Sequence, residues 1–264
     1  MTEPSVTDDS WIRRFRPGHR GAESAGPAGV EGGAPRLICF PHAGGAASFY
    51  FPVSTALNGR FDVWAVQYPG RQDRRAEPPI GSIAALADHV FAALRPGLAD
   101  GPVAFFGHSM GAIVAYEVAR RAERQAGVSP AALIVSGRRA PAKRRAESVH
   151  QRDDDGLIAE VRRLSGTKAG LLADEEVVRM ILPAIRGDYR AIETYVHQPG
   201  PPLGCPITAF VGDEDPQVTL DEARAWAEYT TAGFGLRVFR GGHFYLTARP
   251  QETIAQLMDV LSRP

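Results

Sequence analysis

Gly107-His108-Ser109-Met110-Gly111 decides how this chain is read, because of what stands on either side of it. Before it, Pro102-Val-Ala-Phe-Phe106 is a short apolar run of buried-strand type, and after it Ala112-Ile-Val-Ala-Tyr-Glu-Val-Ala-Arg120 has helical composition. A G-x-S-x-G on a strand-to-helix turn is a nucleophile elbow, which holds a serine hydroxyl up and exposed at the top of a sheet. The glycines are needed because side chains in so sharp a turn would strike the neighbouring elements. The pentapeptide alone is a weak signal; strand before and helix after make it specific.

Outward from the elbow, the chain alternates strand and helix. Apolar runs at Leu37–Phe40, Val63–Gln67, Val103–Phe106, Ala132–Ser136, Ile207–Val211 and Leu236–Phe239 read as buried parallel strands. Helical stretches lie between and after them, at about Ala46–Leu57, Ile83–Leu98, Gly111–Gln125, Leu220–Tyr229 and Glu252–Leu261. The expected class is α/β: an α/β-hydrolase with a mostly parallel sheet covered by helices on both faces. The alternation breaks over 141–202, where Asp153–Asp155 and Asp174 cap two helices and Pro183 predicts a kink or a break in the second. This stretch reads as a helical lid inserted over the strand ends, or alternatively as an extra helical layer. The expected organisation is thus an N-terminal segment (1–35), a core (36–140 and 203–264) and a lid (141–202). Within the first segment, residues 17–34 are Gly- and Ala-rich and read as a flexible linker, while Trp11 and Phe15 supply aromatic anchors for docking on the core.

Composition narrows the function classes. Of 264 residues, 44% are hydrophobic and 23% charged, as expected for a soluble globular enzyme. Thirty basic residues balance thirty acidic ones, which argues against nucleic acid or an anionic membrane as bulk partner. No apolar run approaches a membrane span, and Met1–Asp9 is polar and acidic, unlike a signal peptide. Cys39 and Cys205 form neither a metal-ligand spacing nor a disulfide framework, so no metal is expected and a reduced, cytoplasmic enzyme is the default.

A serine nucleophile needs a base, and the base an orienting acid. In this fold the chain order is Ser, acid, His. Only His150, His197 and His243 follow Ser109; the first two fall in the lid, whereas His243 stands in Arg240-Gly-Gly-His-Phe244, just after the last strand. His243 is the expected base. The acid should follow the preceding strand, where Asp213 and Asp215 compete; Asp215 is preferred because its Gly and Val spacing resembles the hydrolase turn. The oxyanion donors are expected to be the Met110 amide, at a helix N-terminus, and the Ala43 amide in Phe40-Pro-His-Ala-Gly-Gly45, although Gly44-Gly45 also reads as a plain turn. His42 and His108 precede the serine and are expected to shape the loops. Candidate substrate-contacting residues are His42, Tyr189, Ile192, Tyr195 and Phe244. Arg138, Arg139, Lys143, Arg144 and Arg145 form a basic cluster that reads as a solvated loop or as a docking patch.

Taken together, Phe40–Gly45, Val66-Gln-Tyr-Pro-Gly-Arg71, Gly107–Gly111, Ser136-Gly-Arg-Arg-Ala-Pro141, Leu182-Pro-Ala-Ile-Arg-Gly-Asp-Tyr189 and Gly241-Gly-His-Phe244 resemble the type II thioesterases of polyketide and nonribosomal-peptide assembly lines. The resemblance covers about Trp11 to the C-terminus; the stretch 17–34 is longer than the family leads one to expect. It implies a monomer acting without a cofactor of its own on acyl groups held on the phosphopantetheine arm of acyl or peptidyl carrier proteins, removing units that stall the line. It also gives the basic cluster a partner, since such carriers are usually acidic. A small-molecule esterase of the same fold and a non-catalytic binding protein are the competing readings.

Overall fold

A computed structural model of the chain describes residues 9–15, 34–165 and 175–262. Its frame is a seven-stranded sheet: β1 (Ile12–Arg14), β2 (Arg36–Phe40), β3 (Asp62–Val66), β4 (Val103–His108), β5 (Ala132–Ser136), β6 (Ile207–Gly212) and β7 (Phe234–Phe239). The spatial order is β1-β3-β2-β4-β5-β6-β7, with every pairing parallel except β1 against β3. All six expected strands are present. The missed one is β1, three residues pairing Ile12 with Val66 and Arg14 with Trp64. A strand so short has no readable alternation, but its anchor was readable: Trp11 is buried and stacks on His89 at 5.1 Å.

Side-chain alternation along the strands builds two cores. Ile38, Phe40, Phe105, Leu133 and Val135 enter one, under α2 (Ile83–Leu94) and α3 (Met110–Ala126). Their neighbours Leu37, Cys39, Ala104, Phe106 and Ile134 enter the other, under α1 (Phe51–Leu57) and α8 (Pro250–Leu261). Apolar residues on both faces explain why these strands read as continuous hydrophobic runs. Among the described residues no helix is long and apolar enough to cross a membrane.

Between β5 and β6 the chain forms α4 (Asp154–Ser165) and α5 (Glu175–Glu193), with a small core of their own from Val149, Leu157, Val178, Leu182 and Ile185. Asp153 starts α4 as expected, accepting from Gly156 N–H at 2.9 Å. Of the kink or break expected at Pro183, the break does not occur: α5 runs through it as one helix. The proline is exposed, so the carbonyl it leaves unbonded can turn to water. Asp174 and, apart from Ala34, the expected linker lie outside the described residues. Two short helices, α6 (Leu220–Arg224) and α7 (Tyr245–Ala248), complete the fold.

The chain leaves β2 toward one edge of the sheet and β4 toward the other. Loops leaving adjacent strand ends in opposite directions open a crevice, the usual ligand site of open α/β sheets. The tight crossing at this point depends on Gly111. A Cβ there would fall against the carbonyl oxygen of Phe40, and one on Gly107 against that of Gly111. Backbone on both sides leaves nothing flexible to move. Gly111→Ala is therefore expected to cost about 1–3 kcal/mol or more, read as a Tm lowered by about 2–4 °C per kcal/mol in thermal unfolding. An unchanged Tm would contradict this close approach.

Candidate active site

Ser109 sits between β4 and α3 with φ 55° and ψ −118°, a backbone strain that the elbow imposes on a non-glycine residue. Its N–H is held by the Ser136 carbonyl at 2.8 Å, which ties the elbow to β5. After β7, His243 turns back over the sheet. Its Nδ1 lies 2.9 and 3.0 Å from the two Asp215 carboxylate oxygens, and both residues are buried. Asp215 takes a further bond from Gln217 N–H at 2.8 Å. With Nδ1 committed, Nε2 is the remaining ring nitrogen, and His243 and Ser109 line one cavity of about 570 Å³. Asp213, the competing acid, is exposed and accepts from Gly241 N–H at 2.8 Å. It braces the loop that carries His243.

Ala43 lines the same cavity, at the end of β2. Met110 is the first residue of α3, whose leading amides have no partner within the helix and lie at its positive end. Burial, then the charge of His243, pushes His42 down to about 3 and His108 well below its ordinary value, so both stay neutral. His108 bonds Ser136 Oγ through Nδ1 at 2.9 Å. The arrangement is a hydroxyl on a strained turn, a buried imidazole–carboxylate pair and the candidate oxyanion donor Ala43 at one cavity, with the second candidate donor, Met110, following Ser109 in the chain. That set suits acyl transfer through a covalent intermediate.

The Thioesterase domain model matches residues 35–261. The chain is 47% identical over 263 residues to "Thioesterase PikA5" of Streptomyces venezuelae, covering 99% of this chain and 89% of that protein. It is 51% identical over 247 residues to the "Probable cadicidin biosynthesis thioesterase" of Streptomyces griseus, covering 94% of this chain but 64% of that protein's length. Among solved structures, the type II thioesterase BorB of the borrelidin biosynthetic cluster superposes with a TM-score of 0.85 at 52% identity, over 97% of this chain and 99% of that one. The chain belongs to the thioesterase family. Its fold is the α/β-hydrolase fold expected from the elbow, and its enzyme class is that of the thioester hydrolases.

The thioesterase places its other expected site residues unevenly. Tyr189 and Ile192 do line the cavity. Tyr195 does not: its hydroxyl donates to Glu117 at 2.8 Å and the ring faces a separate groove along α3. His42 and Phe244 pack their rings together at 4.9 Å beside His108 and His243, backing the imidazole where cavity contact was expected. The basic cluster is largely not a surface patch. Arg139 is buried and pairs with Glu147, and Arg145 pairs through two bonds with Glu222. Arg138 lines the cavity, where burial, then the charge of Arg139, pulls its guanidinium down to about 9, still charged at neutral pH. Only Lys143 and Arg144 of the five are exposed.

Sequence reasoning assigned no role to Arg71 or Asp188, a buried ion pair against the loop after β2. One signal was available: Asp188 stands three residues after Ile185 and four before Ile192, so it is a carboxylate on the apolar face of α5. The cavity's charged wall, with Glu160 paired to Arg163 at 2.6 Å, was not legible either.

Proposed function

We propose that this thioesterase hydrolyses acyl thioesters carried on the phosphopantetheine arm of carrier proteins, and so clears stalled units from a polyketide or nonribosomal-peptide assembly line. The observation that carries the reading is that Ser109, Ala43 and the Asp215-paired His243 line one cavity, with the Met110 amide next to Ser109 at the start of α3. The biosynthetic setting draws on the named relatives, two of which are thioesterases of biosynthetic pathways. In the reaction, His243 takes the Ser109 proton as Oγ attacks the thioester carbonyl, and the two amides hold the oxyanion. The C–S bond breaks, the pantetheine sulfur leaves with the proton from His243, and an acyl-serine remains. His243 then deprotonates water, which attacks the acyl-serine and releases the acid and the serine. Asp215 keeps the imidazole in one tautomer and stabilises its charged form. The α4–α5 insertion serves as a lid, with Tyr189 and Ile192 on the acyl side.

Turnover of a panel of acyl-loaded carriers, set against p-nitrophenyl esters, tests the reading. The carriers should have the higher kcat/KM. Simple esters winning would identify an esterase, and no stoichiometric labelling of Ser109 by a phosphonate would identify a non-catalytic protein.

Carrier docking, on this reading, falls to the exposed Lys143 and Arg144. Lys143→Glu with Arg144→Glu should lower kcat/KM several-fold for carriers at low salt and leave a small acyl-pantetheine unchanged, since surface charge acts chiefly on encounter. The defect should fade toward 1 M salt, where the Debye length is about 3 Å. Equal behaviour on both substrates returns these side chains to a solvated loop.

A further inference from the structure

Asp188 on α5 fastens the insertion to the loop after β2. Asp188 on α5 is 1% exposed and Arg71 6%. Two parallel bonds join them, Nη1 to Oδ2 at 2.7 Å and Nη2 to Oδ1 at 2.9 Å. The pair is not closed on itself. Asp188 Oδ2 also accepts from Gly44 N–H at 2.8 Å, and Arg71 Nη1 also donates to the Gly45 carbonyl at 3.0 Å.

Both partners therefore grip one four-residue turn, His42 to Gly45, closed by Gly45 N–H donating to the His42 carbonyl at 2.9 Å. Its third residue, Gly44, has φ +75°, the conformation a type II turn demands at that place. Ile185 on the same helix packs so closely that a Cβ on Gly44 would lie 2.8 Å from its Cγ1. In such a turn the central peptide, here Ala43–Gly44, can flip between type I and type II orientations. A fixed acceptor for the Gly44 N–H selects one of them and, with the Gly45 carbonyl held by Arg71, fixes the turn whose first peptide, His42–Ala43, carries the Ala43 N–H at the cavity wall.

We propose that Asp188, oriented by Arg71, is a positioning residue that sets the Ala43 amide as an oxyanion donor, so that α5 belongs to the catalytic scaffold as well as covering the cavity. The proposal rests on the thioesterase reading above. Stability alone accounts poorly for the pair, because a buried ion pair is commonly no more stabilising than apolar residues of the same volume. What apolar residues cannot supply is an acceptor for Gly44 N–H and a donor for Gly45 C=O.

That difference provides the test. Arg71→Met combined with Asp188→Leu removes both charges together, so no unpaired ion is left buried and the fold should be retained, as circular dichroism and Tm would show. Its kcat on a propionyl N-acetylcysteamine thioester should nevertheless fall at least tenfold with KM within about twofold, since loss of one oxyanion donor costs about 10²–10³ in kcat. Arg71→Met with Asp188→Asn keeps an oxygen for Gly44 N–H and should recover part of that kcat; it also serves if the leucine variant does not fold. An alkyl trifluoromethyl ketone, which forms a tetrahedral oxyanion on a serine nucleophile, should bind the leucine double variant at least tenfold more weakly. Wild-type kcat and ketone affinity in a folded double variant would make the pair a structural staple and overturn the proposal, as would a loss carried mainly in KM or the absence of any recovery with Asn. A wild-type protein that binds the ketone but cleaves no thioester would instead sink the thioesterase reading, with the ketone affinities still deciding the role of Asp188.

Discussion

Ser109→Ala and His243→Ala are each expected to lower thioester turnover by about four to six orders of magnitude, with the substrate still bound and the fold intact. The size follows from what each removes. Without the hydroxyl there is no acyl-enzyme, and without the imidazole the hydroxyl keeps its proton. Because the two groups act as one unit, the double variant should be hardly worse than either single one. The residual rate should be that of the Ala43 and Met110 amides and binding alone. Single-turnover kinetics would show this as loss of the acylation burst in both. A Ser109→Ala protein within tenfold of wild type would remove the serine from the mechanism.

The two neighbouring acids separate more sharply than their chemistry suggests. Asp215→Asn should cost about ten-thousand-fold in kcat, because an amide facing Nδ1 stabilises the wrong imidazole tautomer. Both Asp215 oxygens lie within 3.0 Å of that nitrogen, out of water, so little can compensate. Asp213→Asn should stay within a few-fold of wild type, since the amide oxygen can still accept from Gly241 N–H at an exposed position. The two kcat values, measured beside unchanged Tm values, are the check. A severe Asp213 variant with a mild Asp215 variant would reverse the assignment.

The sequence by itself determined whatever depends on neighbours along the chain. Strands buried on both faces are apolar nearly throughout, which made β2 to β6 legible; β7, half-exposed at the sheet edge, was legible from its Val and Phe content, and β1 was too short to be. The elbow was legible because its glycines are demanded by backbone crossings at Phe40 and Gly111. The elbow then singled out Ser109, chain order His243, and the Gly and Val spacing of its turn Asp215, and the structure brings the last two within hydrogen-bond reach. Tertiary structure alone decided what depends on partners far along the chain. Five basic residues within 138–145 look alike as a string, yet Arg139 and Arg145 pair with Glu147 and Glu222, Arg138 turns into the cavity, and only Lys143 and Arg144 of the five are exposed. Tyr189, Ile192 and Tyr195 share one helical neighbourhood, but Glu117 on α3 draws the third away from the site. Asp188 meets Arg71 across 117 positions. Periodicity records which face of an element is buried; it carries no record of which ion the opposing element presents, and at a buried charge that partner decides the role.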